Sequence, residues 1–101
     1  MMVTRFVKMT FAAEKVNTFL SVFKNVKHKI KKFEGCCHLE LLQDNTNKNI
    51  FFTYSVWETE KQLDVYRKSK LFAATWKKTK ILFSGKPEAW TLTTPSPKGK
   101  K

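Results

Sequence analysis

The stretch from Asn49 to Phe72, NIFFTYSVWETEKQLDVYRKSKLF, limits the fold more than any other part of the chain. Its first half is dense in β-branched and aromatic residues and reads as a buried strand from Ile50 to Trp57. That strand passes directly into a helix, because Thr59 is placed as an N-cap and Gln62, three residues on, completes a capping-box pattern. Leu63 and Tyr66 mark one short helix, and a second follows Arg67-Lys68-Ser69, opening with Leu71 and Phe72. A strand, a tight W-E-T junction and a broken helix pair exclude most small-domain topologies.

The remaining segments fit around this unit. Val3, Arg5, Val7 and Met9 alternate with Thr4, Phe6, Lys8 and Thr10, the period-two pattern of a first strand. Val16, Phe19, Leu20, Phe23, Val26, Ile30 and Phe33 recur at spacings of three and four, predicting a long helix from about Ala13 to Phe33. Lys15, Lys24, Lys29, Lys31 and Lys32 occupy its other face, the cluster near the C-terminus suits the negative end of the helix dipole, and Gly35 is placed as terminator. Cys36 to Gln43 reads as a second strand joined to the third through the turn-rich Asp44–Asn49. Leu71, Phe72, Trp76, Thr79 and Phe83 share one side of the last helix, Gly85 and Pro87 stop it, and Glu88 to Thr94 forms a final strand. The order β-α-β-β-α(α)-β predicts the α+β class: a ferredoxin-like antiparallel four-stranded sheet with its helices on one face. All four strands carry apolar residues on both faces, so the uncovered side calls for a second copy, sheet against sheet, in a symmetric homodimer.

With 101 residues the chain is expected to be one domain, residues 1–94, followed by a basic, disordered tail at 95–101. Nine Phe, three Trp and two Tyr are a heavy aromatic load, enough to line a pocket or an interface as well as a core. The net charge of +12 falls to +9 without Lys98, Lys100 and Lys101, and such a surface attracts anions. Arg5 and Arg67 are its two arginines; lysine fills solvated helix faces, whereas phosphate and base readout favours arginine forks. No K/R-G-F/Y-x-F-type strand is present either, so nucleic-acid binding is disfavoured. No run of about 18 apolar residues exists to cross a membrane, and MMVTRFVKMTF carries its charges too deep for a signal peptide, so a cytoplasmic location is expected. Cys36 and Cys37 are adjacent and point to opposite faces of a strand, which argues against a disulfide and, without further ligands, against a metal site.

The segments FEGCCHLELLQD, IFFTYSVWETEKQLDVYRKSKLF and KPEAW closely resemble the antibiotic biosynthesis monooxygenase domain family, over residues 2 to 94. Gly35-Cys36, Trp57-Glu58-Thr59 and Ser69-Lys70-Leu71-Phe72 carry the likeness most specifically. The resemblance implies a dimeric α+β barrel with a pocket between sheet and helices in each protomer. It also implies oxygenation of phenols, quinols or anthrones with no metal, flavin or other cofactor. In anthrone oxygenases of this kind the strand-three Trp lines the pocket, a place taken here by Trp57. Thr53 stands where an Asn helps hold substrate, Leu63 where a Tyr stands, and Leu71 where many quinol-type members carry a His. The haem-degrading branch needs a His ligand, a strand-one Asn and a Trp before the helix break; Trp76, Val7 and Tyr66 occupy those places. A tryptophan does not ligate iron, so haem degradation is disfavoured.

Thr53, Trp57, Leu63, Tyr66, Leu71, Phe72 and Trp76 are therefore the candidate substrate-pocket residues, with Trp57, Tyr66 and Trp76 equally readable as packing. His38 and Glu40 share one face of strand two, either at the seam between protomers or at the pocket edge, where His38 has the chemistry to deprotonate a phenol. His28 lies on the lysine-rich helix face. Arg5, Lys8 and the Tyr54 hydroxyl are conceivable donors to an anion, the face of each being open. No nucleophile–His–acid set, glycine-rich phosphate loop or metal-ligand cluster can be assembled. Two functions remain: a cofactor-independent monooxygenase of a flat aromatic substrate, or a non-enzymatic small-molecule-binding or stress-related homodimer of the same fold.

Overall fold

Strand alternation decides which side chains meet the helices, and the register makes that assignment definite. The structure, a computed structural model, describes residues 1–95; the predicted tail lies outside the described residues from Ser96 onward. Its elements are β1 (Val3–Thr10), α1 (Val16–Lys31), β2 (Cys36–Gln43), β3 (Ile50–Trp57), α2 (Glu60–Arg67), α3 (Lys70–Lys80) and β4 (Glu88–Leu92). The four strands form one antiparallel sheet in the order β2-β3-β1-β4. This is the ferredoxin-like α+β fold expected from the sequence, with α1, α2 and α3 on one face.

The helix ends differ from the sequence expectation in instructive ways. Ala13–Lys15 forms a single 3-10 turn, and α1 proper begins at Val16. At the other end α1 stops at Lys31 rather than Phe33, because the Phe33 N–H bonds to the Ile30 carbonyl, three residues back (3.0 Å). Gly35 then takes a φ of +91°, which L side chains rarely adopt, and its carbonyl accepts from the Glu58 N–H at 2.8 Å. Thr59 caps α2 as expected, its hydroxyl accepting from the Gln62 N–H at 3.1 Å. The reciprocal half of the box is altered: the Gln62 side chain meets the Thr59 hydroxyl at 3.5 Å and lies against Gly35. Ser69 makes the break between α2 and α3 by accepting from the Phe72 N–H (3.1 Å) and donating to the Tyr66 carbonyl (2.6 Å). Phe83 lies past the end of α3, bridging to Phe11, and the last strand ends at Leu92 rather than Thr94.

Helix-facing side chains gather into two clusters. Val3, Ile30, Leu39, Trp57 and Leu63 form one, and Met9, Phe11, Phe19, Phe51 and Leu82 the other. The opposite sheet face has no helix over it. Cross-strand pairing lines up Glu40, Tyr54, Phe6 and Trp90 there, with Phe6 and Tyr54 stacked at 5.1 Å. Trp90 is 42% and Leu92 48% exposed on that side, so large apolar groups stand in solvent in this single chain.

The turn at Gly35 generates a stability prediction. A Cβ at this position would sit 2.7 Å from the Gln62 Cβ, in a backbone conformation hostile to L residues. Gly35→Ala is expected to lower stability by about 1–3 kcal/mol, read as a reduced urea midpoint at unchanged slope. A change below about 0.5 kcal/mol, ordinary for a neutral surface substitution, would show that the turn carries no such constraint.

Candidate functional site

A gap between the two clusters follows from side-chain size along β3. Its helix-facing residues run Phe51, Thr53, Ser55, Trp57: large at both ends and small in the middle. On α1 the short side chains of Val22 and Val26 lie across from that middle, and Thr75 and Thr79 do the same from α3. Packing that would close the sheet centre is missing, and a cavity of about 90 Å³ remains. A second space, a groove of about 280 Å³, adjoins it along β4, bordered by Phe72, Pro87 and Ala89. Arg5, Val7, Arg67 and Trp76 line both spaces and so form the neck between them.

Trp57 is wholly buried, and its indole N–H donates to the Ser55 hydroxyl at 3.0 Å, so its polar atom is satisfied within β3. Tyr66 from α2 stacks on it at 4.8 Å with 24° between planes, and Phe33 meets both rings edge-on. The Trp57 indole is thus core anchor and cavity wall at once, joining the two roles that the sequence left open. Burial pushes the Tyr66 phenol well above its ordinary value, with a smaller push from Cys36, so it stays a neutral donor through the physiological range.

The cavity brings together Thr53, Trp57, Leu63, Tyr66 and Trp76 from the sequence-derived set. Two members of that set fall elsewhere. Leu71 packs against the cluster around Trp57 and does not line the cavity. Phe72 lines the groove, stacked on Trp76 at 5.9 Å. The physical reason is the Ser69 break: it starts a new helix axis, so the first turn of α3 points past the cavity rather than into it. His38 and Glu40 are paired to each other at 3.0 Å and exposed, with His38 against Tyr54 on the helix-free face of the sheet. They are therefore remote from the cavity, on the side where the sequence placed a protomer seam.

Of the conceivable donors, Lys8 and Tyr54 also lie on the helix-free face, Lys8 at 3.7 Å from Glu88. Arg5 faces the helices. Its Nη1 donates to the hydroxyl of its cross-strand partner Thr91 at 2.7 Å. Burial draws the Arg5 guanidinium below its ordinary value, repulsion from Arg67 adds to this, and Asp64 opposes it. Arg67 was not singled out from sequence as a pocket residue; it lies half-exposed at the end of α2 with Nη1 3.8 Å from Asp64. Among the described residues that line the cavity, none is a carboxylate or an imidazole, so its charged groups are both cationic.

The Tyr66 environment gives a pH prediction. A phenol whose folded value is raised binds its proton more tightly in the native state than in the unfolded one. Its stabilising contribution is complete below the unfolded value near 10 and is lost as pH rises toward the folded value, at up to about 1.4 kcal/mol per pH unit. Wild type is therefore expected to lose stability relative to Tyr66→Phe between about pH 10 and 11.5, measured by urea unfolding; parallel curves would mean the phenol is not desolvated.

Comparison with known proteins places this geometry. The sequence model described as antibiotic biosynthesis monooxygenase matches residues 2–78. Among solved structures, a conserved protein from Methanosarcina mazei superposes with a TM-score of 0.89 at 21% identity, covering 93% of each chain. A candidate antibiotic biosynthesis monooxygenase from Nitrosomonas europaea gives 0.87 at 12% identity, over 95% of this chain and 92% of that one. One from Caulobacter crescentus gives 0.87 at 18% identity, over 94% and 91%. At these identities the likeness is one of fold. No curated protein matches the chain.

Proposed function

Because the chain belongs to the antibiotic biosynthesis monooxygenase family, we propose that its cavity oxygenates a small, flat phenol or hydroquinone with dioxygen, without metal or flavin. The observation that carries this reading is the aromatic wall of Trp57 stacked on Tyr66, beside the Arg5 guanidinium, in a mostly apolar cavity. A hydroquinone supplies all four electrons for the reaction. Its ring gains one oxygen atom, its two hydroxyls become carbonyls, and the second oxygen atom leaves as water. With no carboxylate or imidazole on the wall, the phenolic proton passes to solvent as the substrate binds. Arg5 favours the anion electrostatically, and the neutral Tyr66 hydroxyl donates a hydrogen bond to it. The ring stacks against Trp57, and the apolar walls keep the electron-rich anion poorly hydrated when oxygen arrives.

Size sharpens the substrate class. A cavity of about 90 Å³ is smaller than the roughly 150 Å³ that accepts a benzene ring. Even one ring must displace a side chain at the neck, where Trp76 and Arg67 are only partly buried. Single-ring phenols and hydroquinones are favoured over tricyclic anthrones on this ground.

The lack of a general base on the cavity wall favours a second reading, a small-molecule-binding protein of the same fold that performs no chemistry. Oxygen uptake separates the two. The enzyme is expected to consume dioxygen with substituted hydroquinones faster than with anthrones, unaffected by chelators, and to place one ¹⁸O atom from labelled dioxygen in the product. Thermal stabilisation by the same compounds with no uptake would establish the binding reading instead.

We also propose that two copies close their helix-free faces together. Exposed Trp90, Leu92 and Leu42 support this, since burying them on one another removes apolar surface from water. Ultracentrifugation at micromolar concentration is expected to show a dimer, and Trp90→Glu a monomer; a monomeric wild type would refute the assembly.

A further inference from the structure

The chain uses arginine twice among its 20 basic residues, and both arginines stand at the neck between cavity and groove. No lysine lines either space. If positive charge served only solubility here, lysine would be the expected residue, as it is across the rest of the surface. Instead Arg5 comes from the middle of β1 and Arg67 from the last turn of α2, two elements far apart in sequence that converge on one opening.

Among the described residues neither guanidinium has a close, buried carboxylate partner. Arg5 Nη1 donates to the uncharged Thr91 hydroxyl at 2.7 Å. Among the described residues no carboxylate lies within 4.0 Å of Arg5. Arg67 has Asp64 at 3.8 Å, but both side chains are about half-exposed, where such pairs are weak. Glu88 is the carboxylate that borders the groove among the described residues, and it lies 3.7 Å from Lys8 rather than against either arginine. Two like charges beside apolar walls repel until a negative group arrives between them.

We infer that the ligand of this cavity carries a carboxylate in addition to its oxidisable ring, and that Arg5 and Arg67 together bind that carboxylate at the neck while the ring lies against Trp57. This rests on the reading of the cavity as the site of a flat aromatic ligand, and it names the substrate class: hydroxylated aromatic acids. A phenolate alone balances one guanidinium. The second positive charge calls for a second negative group, and a planar carboxylate presents two oxygens to planar guanidinium forks. The layout also fixes orientation, because the acid held at the neck leaves the ring as the part that enters the apolar space.

The test is anaerobic calorimetric titration with 2,5-dihydroxybenzoate, its methyl ester and unsubstituted hydroquinone. The acid is expected to bind wild type at least tenfold more tightly than the ester, and to weaken more than the ester between 50 and 500 mM salt. Arg67→Gln, at a half-exposed position, is expected to weaken the acid about tenfold and leave the ester within twofold. Arg5→Gln, which also removes the charge beside the phenolate, is expected to weaken both compounds and the acid more, and Arg67→Lys should recover part of the loss; melting temperatures verify that each variant is folded. Acid and ester binding within twofold of each other would overturn the carboxylate assignment while leaving the oxygenase reading in place. An acid preference untouched by either substitution would overturn the role of the arginines. Binding by none of the three compounds would overturn this inference and the aromatic-ligand reading together.

Discussion

The stack of Tyr66 on Trp57 is the contact on which the rest of the molecule depends. It joins α2 to the end of β3, closes one of the two apolar clusters and forms a wall of the cavity. Trp57 can serve all three ends because its polar atom is already satisfied by Ser55, two residues back on the same strand. An indole N–H without that partner would need a hydrogen bond from whatever occupied the cavity, and an apolar ring would offer none. Ser55 therefore contributes twice: its hydroxyl satisfies the tryptophan, and its small volume leaves the space the tryptophan borders.

Most of the architecture was legible in the residues. Period-two alternation marked which strand residues share a face, and Thr59 and Ser69 marked where each short helix begins, as the cap geometry bears out. The family and the ferredoxin-like fold followed from the same segments. Helix ends were read less well, because a three-residue 3-10 turn such as Ala13–Lys15 is too short to show a period distinct from that of the α-helix it precedes.

The site was legible only in part. Strand positions transfer directly into facing, so Thr53 and Trp57 could be assigned to one side from sequence alone. Leu71 and Phe72 could not be placed, since their direction depends on the angle between α2 and α3, a tertiary quantity set at Ser69. Arg67 was missed for a related reason: it is charged, half-exposed and near a carboxylate, which is how an ordinary surface residue reads. Two signals were nonetheless present. The scarcity of arginine in a lysine-rich chain was one, and the large-small-small-large row on β3 was the other.

β4 has a consequence of its own. It is an edge strand of five residues, hydrogen-bonded to β1 alone, and its alternate side chains serve different surfaces. Trp90 and Leu92 project to the bare side of the sheet, while Thr91 between them grips the Arg5 guanidinium on the other. The strand that presents the tryptophan to one side is thus the same strand that holds the neck guanidinium on the other. A substitution in this short ribbon therefore has two addresses: an even-numbered position alters the bare surface, and Thr91 alters the support of Arg5.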